Sequence, residues 1–248
     1  MKATLSARGL HKHFDGVVAA EDVSLEVAAG ERVGLIGSNG AGKTTFVNMV
    51  TGYLKPDSGR IEIEGADITG LGPRQIVRRG VARSFQVPQL YPELSVMDNV
   101  LAAAACTAGR LSFWRPAHDA GSVARARAIL ERFSLAVHEH RRVAELAGGV
   151  RKLLDIAMAL TRHPSLLLLD EPTSGVSAEE KFPVMDTVMA ALEGERAAVL
   201  FVEHDMEIVQ RYASRVVAFY SGRILADGPP GPVLADPEVR RHVTGAEA

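Results

Sequence analysis

The stretch "VGLIGSNGAGKTTFVNMV", residues 33 to 50, constrains this chain more than any other. An apolar run leads into a loop holding Gly37, Gly40 and Gly42, and Lys43 and Thr44 then open a helical pattern, giving G-x-x-x-x-G-K-[ST] between a strand and a helix. That context is what a phosphate-binding loop requires. The glycines let the backbone N–H groups of Ser38, Asn39, Gly40, Ala41 and Gly42 curl round phosphate oxygens, and the helix N-terminus at Lys43, Thr44 and Thr45 adds the positive end of a dipole. Lys43 is placed to reach terminal phosphates, and the Thr44 hydroxyl to bind Mg2+.

The rest of the chain supplies a sheet to carry that loop. "SLLLLD" (165–170), "AAVLFVEHD" (197–205) and "RVVAFY" (215–220) read as buried strands, separated by helical "SAEEKFPVMDTVMAALEG" (177–194) and "MEIVQRYA" (206–213). This is the alternation of a parallel α/β sheet. The opening is strand-rich: "VSLEVAAGERVGLIG" (23–37) reads as two strands about Ala-Gly, and "GRIEIEG" (59–65) as a further short one. From Ser95 to Leu160 the pattern turns helical, in "SVMDNVLAAAAC", "GSVARARAILERFSL" and "VRKLLDIAMALTR", broken by a Gly/Trp/Pro stretch around Trp114. A helical subdomain, about 87–162, is thus inserted into an α/β core, the whole of 1–248 forming one domain with a single phosphate-binding loop.

Composition narrows the setting. With 248 residues, 47% of them hydrophobic, the chain can bury a sizeable core. A net charge of −2 gives no positive field for wrapping nucleic acid, so no nucleic-acid partner is expected. The single cysteine, Cys106, has no partner for an intrachain disulfide, which suits a reducing compartment. The N-terminus has no apolar signal segment, and runs such as "LLLL" are far shorter than a membrane span. The expectation is a cytoplasmic protein that meets a membrane only through another protein.

Two further stretches carry chemistry. "LLLLDEP" ends an apolar strand in Asp170, placed for a Mg2+ shell, and Glu171, placed to orient and deprotonate an attacking water, which is the division of labour that phosphoryl transfer needs. "LFVEHD" sets His204 just beyond another apolar strand, where a polar group leaving the same sheet edge can reach a γ-phosphate.

Taken in order, these segments resemble the ATP-binding subunits of ABC transporters along nearly the whole chain: Walker A "GSNGAGKTT", Q-loop "SFQVPQLYPELSVMDNV", a signature segment "LAGGVRKLLDIAMAL", Walker B "LLLLDEP", D-loop "SGVS" and H-loop "VEHD". The resemblance implies the P-loop NTPase core of the ABC ATPase type, with ATP and Mg2+ as ligands. It implies that Gln86 links the Mg2+ and water site to the helical insert, that Phe14 in "LHKHFDG" stacks on adenine, and that Ala147, Gly148 and Gly149 close in trans over ATP held by a second cassette in a head-to-tail dimer. Where the family reads L-S-G-G-Q, this chain has Ala147 for Ser and Val150 for Gln, and Ser177 stands where many relatives carry Asp. Losing a hydroxyl bond to a charged group is worth about 1.5–3 kcal/mol. A homodimer would carry two such weakened sites and a heterodimer one, so the expected partner is a different ATP-binding chain.

Within the family the chain looks most like the branched-chain (hydrophobic) amino acid importers, on the Ala at the second signature position, the D-loop and the ending "GPPGPVLADPEVRRHVTG". Urea importers and lipopolysaccharide exporters carry similar ATPases. The resemblance implies transmembrane permease subunits, reached through Gln86, Gln89 and Tyr91, and indirectly a periplasmic binding protein; the chain would lie on the cytoplasmic face of the cell membrane. The rival reading is a nucleotide-binding regulatory subunit whose altered signature no longer supports turnover. Soluble ABC ATPases of translation or DNA repair would bring a second cassette or a long coiled coil, and a small-molecule kinase would bring lid arginines; none of these features is in the sequence.

Overall fold

The computed structural model describes residues 3–107 and 119–244, so Trp114 lies outside the described residues. In chain order it contains β1 (Ala3–Phe14), β2 (Val17–Ala28), β3 (Arg32–Gly37), α1 (Lys43–Val50), β4 (Ser58–Ile63), β5 (Ala66–Asp67), α2 (Pro73–Arg78), β6 (Val81–Ser84), α3 (Val96–Thr107), α4 (Ala120–Arg132) and α5 (Gly148–Leu160). There follow β7 (Leu166–Asp170), α6 (Lys181–Ala191), β8 (Ala198–Val202), α7 (Met206–Tyr212), β9 (Arg215–Tyr220), β10 (Arg223–Gly228) and α8 (Pro230–Ala235). These form two compact units: Met1–Ala82 with Ser165–Asp170 and Arg196–Ala248, and Arg83–Pro164 with Glu171–Glu195.

The first unit holds both sheets. The larger has the order β10-β9-β3-β8-β7-β6, with β9, β3, β8 and β7 parallel and β10 antiparallel at one edge. Its central strands, "RVGLIG", "LLLLD" and "AVLFV", are buried almost without a break. Continuous apolar runs of this kind mark strands covered on both faces. The smaller antiparallel sheet, β2-β1-β4-β5, closes its first hairpin on Asp15 and Gly16, both at positive φ, between the paired Phe14 and Val17.

One core joins the two sheets through α1. Leu5, Leu25 and Ile61 from the small sheet, Leu35, Leu200 and Phe219 from the large one, and Phe46, Met49 and Val50 from α1 all belong to it. The Phe46 ring meets that of Phe219 at 5.7 Å between centroids. Full burial of such a ring stabilises by about 1.5–3 kcal/mol, so the helix that begins at Lys43 is firmly held. On the rim, the Arg215 guanidinium forks onto the Asp227 carboxylate with both bonds at 2.5 Å and reaches Glu31 at 3.2 Å; these acids hold its pKa above the usual arginine value.

The second unit is helical. Asp119 caps α4 by accepting from the Ser122 N–H at 3.0 Å. Ala126, Leu130 and Phe133 on and after α4, Leu154, Ala157 and Leu160 on α5, and Val184, Met185 and Val188 on α6 are buried. Arg132 donates to the Ala191 carbonyl at the end of α6 and to Glu195 at 2.9 Å, a cation at a helix C-terminus. The last two contacts join the first stretch of this unit to its second.

Candidate active site

Strand register brings the candidate site residues of the first unit to one end of the large sheet. Leu35 of β3 pairs with Val202 of β8, and Val202 with Asp170 of β7. Asp170 therefore ends its strand level with Leu35 and two strands away, about 10 Å at the usual spacing. Gly37 leaves β3, and His204 leaves β8, two residues beyond that level. These are the carboxyl ends of parallel strands, where open α/β sheets bind ligands.

The glycine loop has the form of an anion cradle. Ser38, Asn39, Gly40 and Thr44 are exposed, Thr45 is half-buried, and Ala41 and Gly42 are buried beneath them. Lys43 is only 5% exposed, and its ammonium donates to the Gly37 and Ser38 carbonyls at 2.5 and 3.0 Å. The cation sits inside the curl of the loop, bonded to two of the loop's own carbonyls. Gly42 has φ 106, and a Cβ there would stand 2.6 Å from the Ala19 carbonyl oxygen, so only glycine fits where the loop meets β2. A buried cation in a glycine loop whose Ser38, Asn39 and Gly40 are exposed, at a helix start, suits a polyphosphate.

Phe14 is 45% exposed at the end of β1, with the Lys12 ammonium 5.5 Å from its ring centroid. That exposure suits stacking on a ligand better than filling a core. His204 is exposed on a turn seated by buried Glu203, whose carboxylate accepts the His204 N–H at 3.2 Å and whose own N–H donates to Leu35 at 3.3 Å. For a metal, Thr44 and half-buried Asp170 offer only oxygen donors. Among the described residues no three His, Cys, Asp or Glu side chains could cage an ion. One carboxylate and one hydroxyl fit Mg2+, which keeps waters and takes phosphate oxygens.

The second unit carries the other candidates. The Gln86 Nε2 donates to the Glu171 carboxylate at 2.6 Å. Glu171 has φ 46, a left-handed conformation that is strained for a residue other than glycine and that tends to occur at functional sites. Residues 84–91 are pinned from below. Buried Lys152 on α5 donates to the Phe85 and Gln86 carbonyls at 2.8 and 3.3 Å. Buried Asp155 accepts from the Ser84 hydroxyl at 2.6 Å and the Gln89 N–H at 3.0 Å. Buried Asn99 accepts from the Tyr91 N–H and donates to its carbonyl. Val87, Tyr91 and Leu94 stay exposed, beside a cavity of about 660 Å3 lined in part by Gln86, Leu90, Val143 and Arg151.

The signature segment starts α5. Ala147 is the exposed N-cap, with extended backbone and no side-chain acceptor; Gly148 is half-buried and Gly149 buried. A Cβ on Gly148 would lie 2.8 Å from the Gly175 carbonyl oxygen, so glycine is needed there for close approach, and one on Gly149 would meet a Val184 methyl at 3.3 Å. The Ser177 hydroxyl donates to Glu180 at 3.1 Å. Sequence reading did not single out Asp155, Ser84 or Glu203; for Asp155 the trace it could have used is a carboxylate three residues after Lys152 within the apolar run 153–160 of α5.

Known proteins place this geometry in a family. The sequence pattern of the ABC transporter family matches residues 20–174. The high-affinity branched-chain amino acid transport ATP-binding protein LivG of Escherichia coli K12 is 36% identical over 97% of each chain. The probable branched-chain amino acid transport ATP-binding protein LivG of Archaeoglobus fulgidus is 33% identical over 98% of this chain and 96% of its own. An ATP-binding cassette of an ABC transporter, solved in its ADP conformation, matches with a TM-score of 0.88 at 32% identity over 97% of this chain and 98% of that one. With a strand–loop–helix phosphate cradle, the matching family pattern and relatives alike along nearly their full length, the chain belongs to the ABC transporter family as one of its ATP-binding cassettes.

Proposed function

We propose that this chain hydrolyses Mg2+-ATP to power import of branched-chain or other hydrophobic amino acids. The observation that carries the reading is the likeness to branched-chain transport ATP-binding proteins over 97% of both chains, with Lys43, Asp170 and Glu171 all in place. The loop from Ser38 to Thr45 binds the phosphates and Phe14 stacks on the adenine. Thr44, Asp170 and Gln86 would hold the Mg2+, which when bound neutralises charge on the phosphate oxygens. Glu171 orients the attacking water and takes its proton, Gln86 fixes that carboxylate, and His204 donates toward the γ-phosphate.

Ala147, Gly148 and Gly149 act in trans on a second, different ATP-binding chain, paired head to tail. Backbone N–H groups and the helix N-terminus do what the missing serine hydroxyl does elsewhere. The exposed Val87, Tyr91 and Leu94, beside Gln89, form the surface for transmembrane permease subunits on the cytoplasmic face, with a periplasmic binding protein engaged indirectly. Among the described residues no helix is long and apolar enough to cross a membrane, consistent with peripheral attachment. The helical insert of about 87–162 carries motion between nucleotide and permease.

The test is Mg2+-ATP hydrolysis by the chain alone and with its permease and second cassette, beside leucine uptake into proteoliposomes. Turnover and uptake that both vanish in Glu171→Gln support the reading. ATP binding without turnover in any assembly would instead favour a regulatory subunit, the reading suggested by the bare N-cap at Ala147.

A further inference from the structure

We propose that Lys152 and Asp155 are positioning residues that aim Gln86 at Glu171 by clamping the backbone on both sides of it; this rests on the roles given above to Gln86 and Glu171. Both lie on α5 three residues apart, hence on one face, and are 1% and 6% exposed. Burying a lysine and a carboxylate is costly unless both are well bonded, and apolar side chains would pack such a face at less expense. What the charged pair adds is a fixed backbone. The Lys152 ammonium takes the carbonyls of Phe85 and Gln86, while Asp155 takes the Ser84 hydroxyl with one oxygen and the Gln89 N–H with the other. Residues 84, 85, 86 and 89 are thereby held against one helix face, and the Gln86 side chain, free of these anchors, spans 2.6 Å to Glu171. The same helix opens at Gly148 and Gly149, about one turn before Lys152, so the signature turn and the backbone of Gln86 belong to one piece of the unit.

The test uses the full chain, with Mg2+-ATP as the probe. Lys152→Met keeps the apolar stem and removes the donors, and Lys152→Arg returns a charged donor. Lys152→Met should lower kcat about ten- to a hundred-fold, as misplacing an aligned group does, with ATP affinity unchanged and much of the rate recovered in Lys152→Arg. If Lys152 acts through Gln86, adding Lys152→Met to Gln86→Ala changes kcat by no more than about two-fold. Amide exchange should rise over residues 84–90 and stay level over α3 and α4. Losses that multiply in the double variant, exchange over 84–90 that does not change, or exchange that rises through the whole unit would each overturn the proposal. If Gln86→Ala alone leaves turnover intact, the role given to Gln86 fails and this proposal with it, whereas a chain without any turnover fails the proposed function, and the exchange pattern still decides whether the clamp exists.

Discussion

Restoring the family's serine at Ala147 should change two separate properties. Ala147 caps α5 with φ −62 and ψ 158, is exposed, and offers no side-chain acceptor to the first turn. A serine oxygen in that extended conformation accepts the N–H of Gly149 or Val150, a bond worth about 1 kcal/mol. For a chain of this size that raises the melting temperature by about 2–4 °C. The hydroxyl proton stays available to a phosphate oxygen, so under the proposed role in trans turnover at a second cassette's site should rise as well, by about ten- to a hundred-fold if the full bond to a charged group forms. Ala147→Asp separates the two effects: it caps at least as well and adds a favourable charge at the helix start, yet sets a carboxylate against the incoming phosphate. Thermal unfolding by circular dichroism should show both variants stabilised, and an ATPase assay should show the serine variant faster and the aspartate variant slower. A melting temperature that does not move in either variant would refute the capping argument, and faster turnover in Ala147→Asp would refute the role in trans.

Other outcomes follow from the same geometry. Gly148→Ala drives a methyl to 2.8 Å from the Gly175 carbonyl oxygen, with backbone on both sides, and should lower stability by about 1–3 kcal/mol in urea denaturation. Ser84→Ala removes a 2.6 Å bond to the buried Asp155 and should cost about 1–3 kcal/mol by the same measurement. Burial raises the Asp155 carboxyl above its ordinary value, with the Ser84 and Gln89 bonds opposing. The folded chain then holds this proton at pH values where the unfolded chain has released it, so its contribution to stability is full below the unfolded value and is lost as pH rises through the folded one. Asp155→Asn should flatten that part of the stability–pH curve, seen in melts compared from acid to neutral pH. Glu171→Gln should lower kcat by about 10²–10⁴-fold while ATP still binds, as read by nucleotide fluorescence titration beside a turnover assay.

Much of the first unit was legible because its signals are local. Strands buried on both faces read as unbroken apolar runs, and "VGLI", "LLLL" and "AVLFV" are all such strands. The helices α3, α4 and α5 stand within the stretches that read as helical, with the clearest 3.6-residue pattern in α5. What escaped reading is weakly patterned or non-local. In β1 the pairing register shifts between Ala7 and Leu10, which breaks the two-residue alternation, although Asp15-Gly16 was a hairpin signal in plain view. Only four residues make up β6, and β10 is half-buried at most positions. The grip of Lys152 and Asp155 on residues 84–89 spans more than sixty positions of chain, and no periodicity reports a contact of that range.

The helical unit is written in two instalments, with the strand that ends in Asp170 between them. Its own contacts run across that interruption: Arg132 bonds to Ala191 and Glu195, and Gly148 and Gly149 pack closely against Gly175 and Val184. A recombinant chimera that exchanges only 83–164 between two cassettes would therefore inherit half of a fitted pair. Exchanging 83–164 and 171–195 together keeps each half with its mate, so domain shuffling within this family should respect both segments at once.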